Sequence, residues 1–133
     1  MEIREYKKYN EQEVLNLYSS VGWTAYTDDL DSLQSGFENS LLTLGAYEGD
    51  TLLGLIRTVG DAQTIVYLQD ILVLPEYQRR GIGTDLMSAL LDRFQDVRQI
   101  VLTTDNTPKT IGFYESVGFA QMTNMGCCGF MKV

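Results

Sequence analysis

The chain has 133 residues, no histidine and a formal net charge of −8. The acidic charge disfavours nucleic acid as a partner, because binding to a phosphate backbone needs clustered lysine and arginine. Without histidine, Ser-His and Cys-His nucleophile pairs are excluded. The length predicts a single domain over residues 1–133 that is long enough to bury a hydrophobic core.

No apolar run approaches the roughly 20 residues that are needed to span a bilayer. The segment from Glu2 to Lys8 is charged, which is not the pattern of a secretory signal. We therefore expect no membrane partner and a cytoplasmic location. Cys127 and Cys128 are adjacent, so a disulfide between them would be strained and both thiols are expected to be free. No cysteine pair has the spacing of a zinc site, and we expect no metal.

The N-terminal part of the chain predicts a strand followed by two helices. Residues 3–6 are the strand candidate. Asn10 is placed to cap the next helix, and Gly22 is placed to end it. A second amphipathic helix is predicted over residues 30–39.

The connector between these helices, residues 23–29, is aromatic and acidic. Trp23, Tyr26 and Asp28 could hold a cationic or aromatic substrate through cation–π and ionic contacts. The alternative is that Trp23 and Tyr26 only cover the edge of the core. The sequence leaves both interpretations open.

The middle of the chain predicts a meander of three antiparallel strands. The strands cover residues 41–47, 51–59 and 64–74, with short turns between them. The third strand ends in an unbroken apolar run, residues 71–74, which is typical of a strand covered on both faces. Pro75 ends this strand, because proline has no N–H to give to a ladder.

The next helix begins at a glycine-rich turn, and its apolar residues take the helical period from Ile82 onwards. The first four N–H groups of a helix have no partner inside it, and the helix dipole makes that end positive. Gly81 and Gly83 leave this end open, and Arg79 and Arg80 add charge. The pattern favours a phosphate or pyrophosphate site. The alternative is a turn that carries a solvated arginine pair.

The last third of the chain predicts a further strand, a helix and a closing hairpin. Thr107 is the expected cap of the helix, Pro108 its first residue and Gly118 the residue that ends it. The strands are predicted over residues 97–104, 119–123 and 128–133. The order of elements predicts an α/β (α+β) fold with a mixed, mostly antiparallel sheet flanked by helices.

Two nucleotide-binding motifs are absent. No Gly-Lys-Ser/Thr follows the glycines, as a P-loop would need, and Leu86 stands where a dinucleotide fingerprint needs glycine or alanine. The hexapeptide Gln78-Arg79-Arg80-Gly81-Ile82-Gly83 instead is similar to the Gln/Arg-x-x-Gly-x-Gly/Ala signature of GNAT-type N-acetyltransferases, which bind acetyl-coenzyme A. Two further segments strengthen the resemblance, Val73-Leu74-Pro75 before it and Phe113-Tyr114-Glu115-Ser116-Val117-Gly118-Phe119 after it.

The resemblance covers the chain from about Leu41 to Phe119 and implies the GNAT fold. In that fold the strand that ends at Val73 and the strand that ends near Thr104 run parallel and splay apart around the cofactor. Backbone groups would contact the pantetheine arm at Ile71, Leu72 and Val73, and the Val73 N–H or a neighbour's would polarise the acetyl carbonyl. The N–H groups and charges that would cradle the pyrophosphate belong to Arg79, Arg80, Gly81, Ile82, Gly83 and Thr84.

Family members commonly have an asparagine seven residues before the catalytic tyrosine. Thr107 occupies that position here and Asn106 lies one residue earlier, so Asn106 is the candidate cofactor contact. The resemblance implies that Tyr114 is the general acid for the departing thiolate; the alternative is a half-buried packing tyrosine. Asp70 is the candidate base, but it could also anchor a cationic substrate or be a satisfied structural carboxylate.

The sequence thus predicts an acetyl-coenzyme A-dependent N-acetyltransferase, with a small cationic primary amine such as a polyamine, aralkylamine or aminoglycoside as acceptor. A protein N-terminus or lysine is an alternative acceptor. A non-catalytic acyl-coenzyme A sensor or interaction module of the same fold is the alternative function. The apolar C-terminal strands could pair across a homodimer.

Overall fold

The computed structural model describes all 133 residues, Met1–Val133. The chain divides into two compact units, Met1–Val101 and Leu102–Val133. None of the helices combines the length and the apolar character that crossing a bilayer requires.

The first unit contains a five-stranded sheet and four α-helices. The strands are β1 Glu2–Glu5, β2 Leu42–Glu48, β3 Thr51–Gly60, β4 Val66–Val73 and β5 Ile100–Val101. The helices are α1 Glu11–Ser20, α2 Thr24–Thr27, α3 Leu30–Glu38 and α4 Ile82–Arg93, with a 3-10 turn at Pro75–Tyr77. The second unit contains α5 Pro108–Ser116 and a 3-10 helix, Met122–Met125.

The strands follow one another in the sheet in the order β1-β2-β3-β4-β5. The pairs from β1 to β4 are antiparallel, and β4 and β5 are parallel. The predicted fold, a mixed and mostly antiparallel sheet flanked by helices, is confirmed. The register of β3 and β4 shifts after the pair Arg57 and Asp70, so that Gln69 has no partner in β3. This irregularity is a β-bulge, which bends a strand and redirects its side chains.

Helices pack on the sheet through the apolar stripes that their sequences predict. Helix α4 contacts β1 to β4, and its buried side chains are Ile82, Leu86, Met87 and Leu90. Helix α1 contacts β3 and β4, and α1 and α3 together bury Val14, Leu17, Tyr18, Leu33 and Phe37. This packing fixes the start of α4 and the connector between α1 and α3 against a rigid sheet.

The predicted closing hairpin is wrong. Residues 119–123 and 128–133 form no strand; a 3-10 helix, Met122–Met125, takes the place of the hairpin and ends at Gly126 with a φ of 78°. Glycine weakens a strand, and Gly126 and Gly129 flank the two cysteines. Cys127 and Cys128 are free, as predicted, and both are exposed.

Two other boundaries differ from the prediction. Strand β5 has two residues where the sequence predicted 97–104, because Val97 still bonds to the end of α4 and a polar run follows Leu102. The aromatic connector, for which the sequence predicted no helix of its own, contains the short helix α2, which brings Tyr26 onto the core edge beside α1.

Candidate functional site

The turn between β4 and α4 holds an unusual backbone. Arg79 has a φ of 65° and Gly81 a φ of 81°, both in the left-handed region that non-glycine residues rarely adopt. Gln78 ties the turn to the strand before it, since its side-chain Nε2 donates a hydrogen bond to the carbonyl of Val73 at 3.0 Å. The loop therefore has a defined shape that presents its backbone at the start of α4.

The start of α4 is open, unlike the starts of the other long helices. In α1, α3 and α5 the side chains of Asn10, Asp29 and Thr107 each accept a hydrogen bond from an N–H in the first turn. Helix α4 begins at Gly81, which has no side chain to do this. A Cβ built on Gly81 would meet no atom of the rest of the fold within 4 Å, so no other segment crowds this position. Unpaired N–H groups with open space beside them suit an anion.

Arg79 and Arg80 add charge beside this open helix start. Both are exposed, and neither forms an ion pair with a carboxylate of the protein. The guanidinium carbon of Arg80 lies 5.1 Å from the centre of the Tyr77 ring, a cation–π contact that restricts the side chain. Thr84, in the first turn, is also exposed, and so is the one acidic residue of that turn, Asp85. The predicted phosphate-binding residues are thus brought together.

The end of β4 extends beyond its parallel partner. Strands β4 and β5 share only the pairs Val66 with Ile100 and Tyr67 with Val101. The residues predicted to contact the pantetheine arm, Ile71, Leu72 and Val73, are the last three of β4, and none of them pairs with β5. Such a strand edge is able to hydrogen-bond an extended ligand that carries amides, as a further strand would.

Asp70, the predicted base, lies in the buried interior of the first unit. Its side chain is 2% exposed and accepts three hydrogen bonds. Arg57 Nε donates to Oδ2 at 2.8 Å, the Tyr18 hydroxyl donates to Oδ2 at 2.9 Å, and the Tyr26 hydroxyl donates to Oδ1 at 2.7 Å. Arg57 Nη1 also donates to the hydroxyl of Ser40 at 3.1 Å. These contacts favour the interpretation of Asp70 as a satisfied carboxylate.

The charged members of this cluster are Arg57 and Asp70, which form an ion pair, and the two tyrosines beside them are neutral. Burial lowers the pKa of Arg57, but the adjacent Asp70 carboxylate outweighs that effect and the pKa is raised above its usual range. Burial, together with Asp70, raises the pKa of Tyr18 and Tyr26. Both phenols therefore stay protonated at neutral pH and act as donors.

Two of the predicted substrate residues lie on this cluster. The hydroxyl of Tyr26 accepts a hydrogen bond from Gln69 Nε2 at 2.9 Å in addition to donating to Asp70. The Trp23 and Tyr26 rings are half-buried, with their centres 6.1 Å apart and an angle of 37° between their planes. The third predicted residue, Asp28, is exposed at the end of α2 and belongs to no side-chain network.

Tyr114 belongs to the second unit. It is half-buried on α5, with edge-on ring contacts to Phe113 at 5.1 Å and Phe119 at 6.1 Å. Burial raises the pKa of its phenol, against a smaller opposing effect of a hydrogen bond with Thr104. Thr107 caps α5, and Asn106, the predicted cofactor contact, is exposed in the loop before it.

Sequence reasoning missed the partners of Asp70. Arg57 stands in β3 directly opposite Asp70, and both strands are otherwise mostly apolar around them. Opposite charges at the centres of two adjacent buried strands are the signal that could have found this pair. Tyr18 is a buried residue of α1, and no local pattern in the sequence reveals what its hydroxyl contacts.

A family model described as "Acetyltransferase (GNAT) family" matches residues 8–119. The chain belongs to the GNAT acetyltransferase family. A GNAT family acetyltransferase of Streptococcus pneumoniae TIGR4 has a solved structure that is 38% identical to this chain, with a TM-score of 0.89, and the match covers 99% of this chain and 96% of that one. The predicted enzyme class, an acetyltransferase, is confirmed.

A further relative is an uncharacterized ycf52-like N-acetyltransferase of Prochlorococcus marinus, which is 32% identical over 124 residues. That match covers 89% of this chain and 67% of the relative. The chain spans 62% to 67% of the length of four curated relatives that it matches.

The fold also matches that of AAC(6')-Iy, solved with the bisubstrate analogue CoA-S-monomethyl-acetylneamine, at 18% identity and a TM-score of 0.70. That match covers 90% of each chain. At this identity the likeness shows the fold alone.

Proposed function

We propose that this chain transfers the acetyl group of acetyl-coenzyme A to a small cationic primary amine. The observation that carries the proposal is the open start of α4, where Gly81 leaves the first N–H groups without a side-chain cap. Arg79 and Arg80 stand beside it without carboxylate partners. Such a site suits a diphosphate, which coenzyme A carries.

The binding roles divide between the turn and the strand before it. N–H groups and side chains of the turn and first helical turn would hold the diphosphate, and they belong to Arg79, Arg80, Gly81, Ile82, Gly83 and Thr84. The end of β4, at Ile71, Leu72 and Val73, would hydrogen-bond the amide-containing pantetheine arm. Asn106 would be a further contact in the second unit. Acetyl-coenzyme A supplies the thioester that the amine attacks.

The chemistry requires a neutral amine, a donor for the oxyanion and a proton for the departing thiolate. We assign the donor to the backbone N–H of Val73 or a neighbour, and the acid to Tyr114. The raised pKa of Tyr114 keeps its phenol protonated, so the proton is available when the thiolate leaves. A free thiol has a pKa of about 8.5, so transfer from a phenol of higher pKa is uphill and is driven by collapse of the tetrahedral intermediate.

The acceptor would meet the connector that contains α2. The rings of Trp23 and Tyr26 offer faces to an ammonium group or an aromatic ring, and Asp28 offers an exposed carboxylate. The net charge of −8 attracts a cationic acceptor over longer range.

Cofactor binding is the first test of the proposal. Isothermal titration of the pure protein with coenzyme A and with acetyl-coenzyme A should give saturable binding of both. Thiol release from acetyl-coenzyme A is then measured with a panel of polyamines, aralkylamines, aminoglycosides and N-terminal peptides. Cationic small amines should be the best acceptors. Preference for a peptide would indicate a protein acetyltransferase, and binding without turnover on any amine would favour an acyl-coenzyme A sensor.

The Tyr114→Phe variant tests the acid. Loss of a general acid typically costs about 100-fold or more in kcat, and we expect a loss of that size with coenzyme A affinity nearly unchanged. Tyr9→Phe is the matched control, because the buried Tyr9 hydroxyl has no hydrogen-bond partner and its removal should leave kcat unchanged. Equal rates for wild type and Tyr114→Phe would show that Tyr114 only packs.

The same proposal includes one domain over residues 1–133, a cytoplasmic location and a homodimer. The C-terminal segment forms no strand that could pair across a dimer. It does leave two apolar side chains for a second copy to cover, Phe130 at 97% exposed and Met131 at 81%. Light scattering on the pure protein would measure a mass near twice 15.0 kDa if a second copy covers them.

A further inference from the structure

The cluster around Asp70 links three helical segments to the centre of the sheet. Its side chains come from α1, α2, β3 and β4, namely Tyr18, Tyr26, Arg57 and Asp70. We call these four residues the Asp70 cluster. Arg57 extends it to Ser40, just after α3, and the Ser40 hydroxyl donates in turn to the Gly36 carbonyl at 2.7 Å.

Stability alone is a weak reason for such a cluster. Both ends of the ion pair are buried, with Arg57 5% and Asp70 2% exposed. Desolvating two charges costs about as much as their attraction returns, and apolar side chains in the same volume often give equal or higher stability. A buried ion pair does, however, impose one geometry on the groups that bond to it.

Helix α2 is the segment that most needs to be held in one geometry. This helix has four residues, which is too short to be stable by itself, and its first residue follows Trp23, which makes no side-chain cap. The hydroxyl of Tyr26 makes the hydrogen bonds that join α2 to the sheet, one to Asp70 and one from Gln69. The remaining side-chain bond within α2, from Thr27 to the Thr24 carbonyl, is local.

The bulge in β4 explains how two neighbouring residues reach the same hydroxyl. Adjacent residues in a regular strand point to opposite faces. Gln69 is the residue without a partner in β3, and Asp70 is paired with Arg57. The side chains of Gln69 and Asp70 both contact the Tyr26 hydroxyl, at 2.9 Å and 2.7 Å.

We propose that Asp70 is a positioning residue that acts through Tyr26, and that the bond between them fixes the aromatic pair Trp23 and Tyr26 as the wall that receives the acceptor amine. Asp70 then removes no proton from the substrate, because its two oxygens are occupied by Arg57, Tyr18 and Tyr26. The amine is recognised by the ring faces, and the buried charge is compensated by Arg57. This inference rests on the proposed function, and it names the part of the chain that sets the acceptor preference.

The test uses a matched pair of variants, Tyr26→Phe and Tyr18→Phe. Each removes one phenolic hydroxyl that donates to the same carboxylate, but only Tyr26 lies in the connector. Loss of the bond from Tyr26 to the Asp70 carboxylate should lower the population of the positioned ring about tenfold, and the apparent affinity for the amine falls by the same factor, so Tyr26→Phe should raise the KM for the amine about tenfold. The KM for acetyl-coenzyme A and kcat should change by no more than about twofold, as for a group that acts on amine binding alone.

Tyr18→Phe should lower the melting temperature at least as much as Tyr26→Phe, because Tyr18 is 0% exposed. It should leave the amine KM within about twofold of wild type, since α2 keeps both of its bonds. If the two variants raise the amine KM equally, the cluster has a structural role only and the proposal is wrong. The proposal also fails if neither variant changes the KM for the amine.

Trp23 gives a readout that does not depend on turnover. It is the single tryptophan of the chain. Titration with a non-reacting amine and coenzyme A should change its emission saturably in wild type. The amine should bind about tenfold more weakly to Tyr26→Phe. An emission that does not respond to an amine that the enzyme acetylates would show that Trp23 is no part of the acceptor wall.

Removing both charges of the ion pair distinguishes a positioning role of Asp70 from the role of a general base. Asp70→Asn alone would bury Arg57 without a counter-ion, so Arg57→Gln/Asp70→Asn is the variant that is measured. A positioning role predicts a raised amine KM, a kcat within about tenfold of wild type and an unchanged pH profile. Loss of about 100-fold or more in kcat together with loss of an ionisation from the profile would identify a base.

The two levels of proposal fail in different ways. A wild-type protein that binds no coenzyme A, or acetylates no amine, overturns the proposed function and this inference with it. A wild-type protein that acetylates an amine while the two tyrosine variants behave alike overturns this inference only.

Discussion

Helices α3 and α4 begin in different ways, because a side chain caps the first turn of α3 and none caps that of α4. Asp29 closes α3, since its side chain accepts from the Ser32 N–H at 3.1 Å and from the Ser32 hydroxyl at 2.8 Å. Gly81 leaves α4 open, and two arginines stand in front of it. A capped start gains local stability, whereas an open start keeps its N–H groups for a ligand. The difference shows that a binding site can be recognised by the hydrogen bonds that a chain does not make to itself.

A negative charge placed in the first turn of α4 should weaken coenzyme A binding, and this is the largest effect that we expect. Thr84 is the third residue of that helix and is exposed. Thr84→Glu brings a carboxylate to the proposed diphosphate site, and repulsion of even about 1.4 kcal/mol weakens coenzyme A tenfold. The helix itself should not suffer, because acidic residues in a first turn are favourable.

Thr84→Gln is the control for this prediction, because glutamine has nearly the same size as glutamate and carries no charge. Titration calorimetry with coenzyme A should show a loss of at least about tenfold for the Glu variant relative to the Gln variant. Equal affinities for the two variants would mean that the diphosphate binds elsewhere.

Removal of the cap from another helix should lower stability and leave coenzyme A binding unchanged. Asn10 caps α1 by accepting from the Glu13 N–H at 3.1 Å. Asn10→Ala should lower the free energy of unfolding by about 1 kcal/mol, the usual cost of a lost cap. Coenzyme A affinity should not change. Urea unfolding measures the first quantity and calorimetry the second.

Asn16→Ala is the matched control for the cap, since Asn16 lies exposed within the same helix. Alanine favours a helix interior, so this variant should be as stable as wild type or slightly more so. A loss of stability equal to that of Asn10→Ala would contradict the assignment of the cap.

The smallest expected effect is the pH dependence of the α3 cap. The bonds from the Ser32 N–H and hydroxyl hold the pKa of Asp29 below its ordinary value of 3.8. A carboxylate with a lowered folded pKa stabilises the protein above the unfolded pKa, and that contribution is lost as the pH falls through the folded pKa. Asp29→Asn keeps an acceptor that does not titrate. The stability advantage of wild type over Asp29→Asn should therefore shrink below about pH 4 in urea unfolding; a constant difference would show that the cap does not titrate.

The sequence predicted the parts of this structure that depend on local signals. Turn chemistry and hydrophobic period act over a few residues, and they predict the caps at Asn10 and Thr107, a strand that ends before Pro75 and the helix from Ile82. The motif around Gly81 was visible for the same reason.

The parts that depend on contacts distant in sequence were not predictable. Arg57 and Asp70 are 13 residues apart, and Tyr18 and Asp70 are 52 residues apart. The sequence of helix α2 carries no helix signal, and the bond from its Tyr26 to Asp70 on β4 joins residues 44 positions apart. The predicted C-terminal hairpin is absent, since an apolar run forms a strand only where a neighbouring strand pairs with it.

The position of Arg57 has a consequence for acceptor preference. Its guanidinium carbon lies 5.3 Å from the centre of the Phe37 ring, and its Nη1 bonds to Ser40, so the ion pair is anchored on the side of α3 as well. Replacement of either residue would disturb the arginine without touching any small molecule. Under the role that we propose for the Asp70 cluster, substitutions at these interior positions would change the acceptor preference without altering any residue that touches the amine.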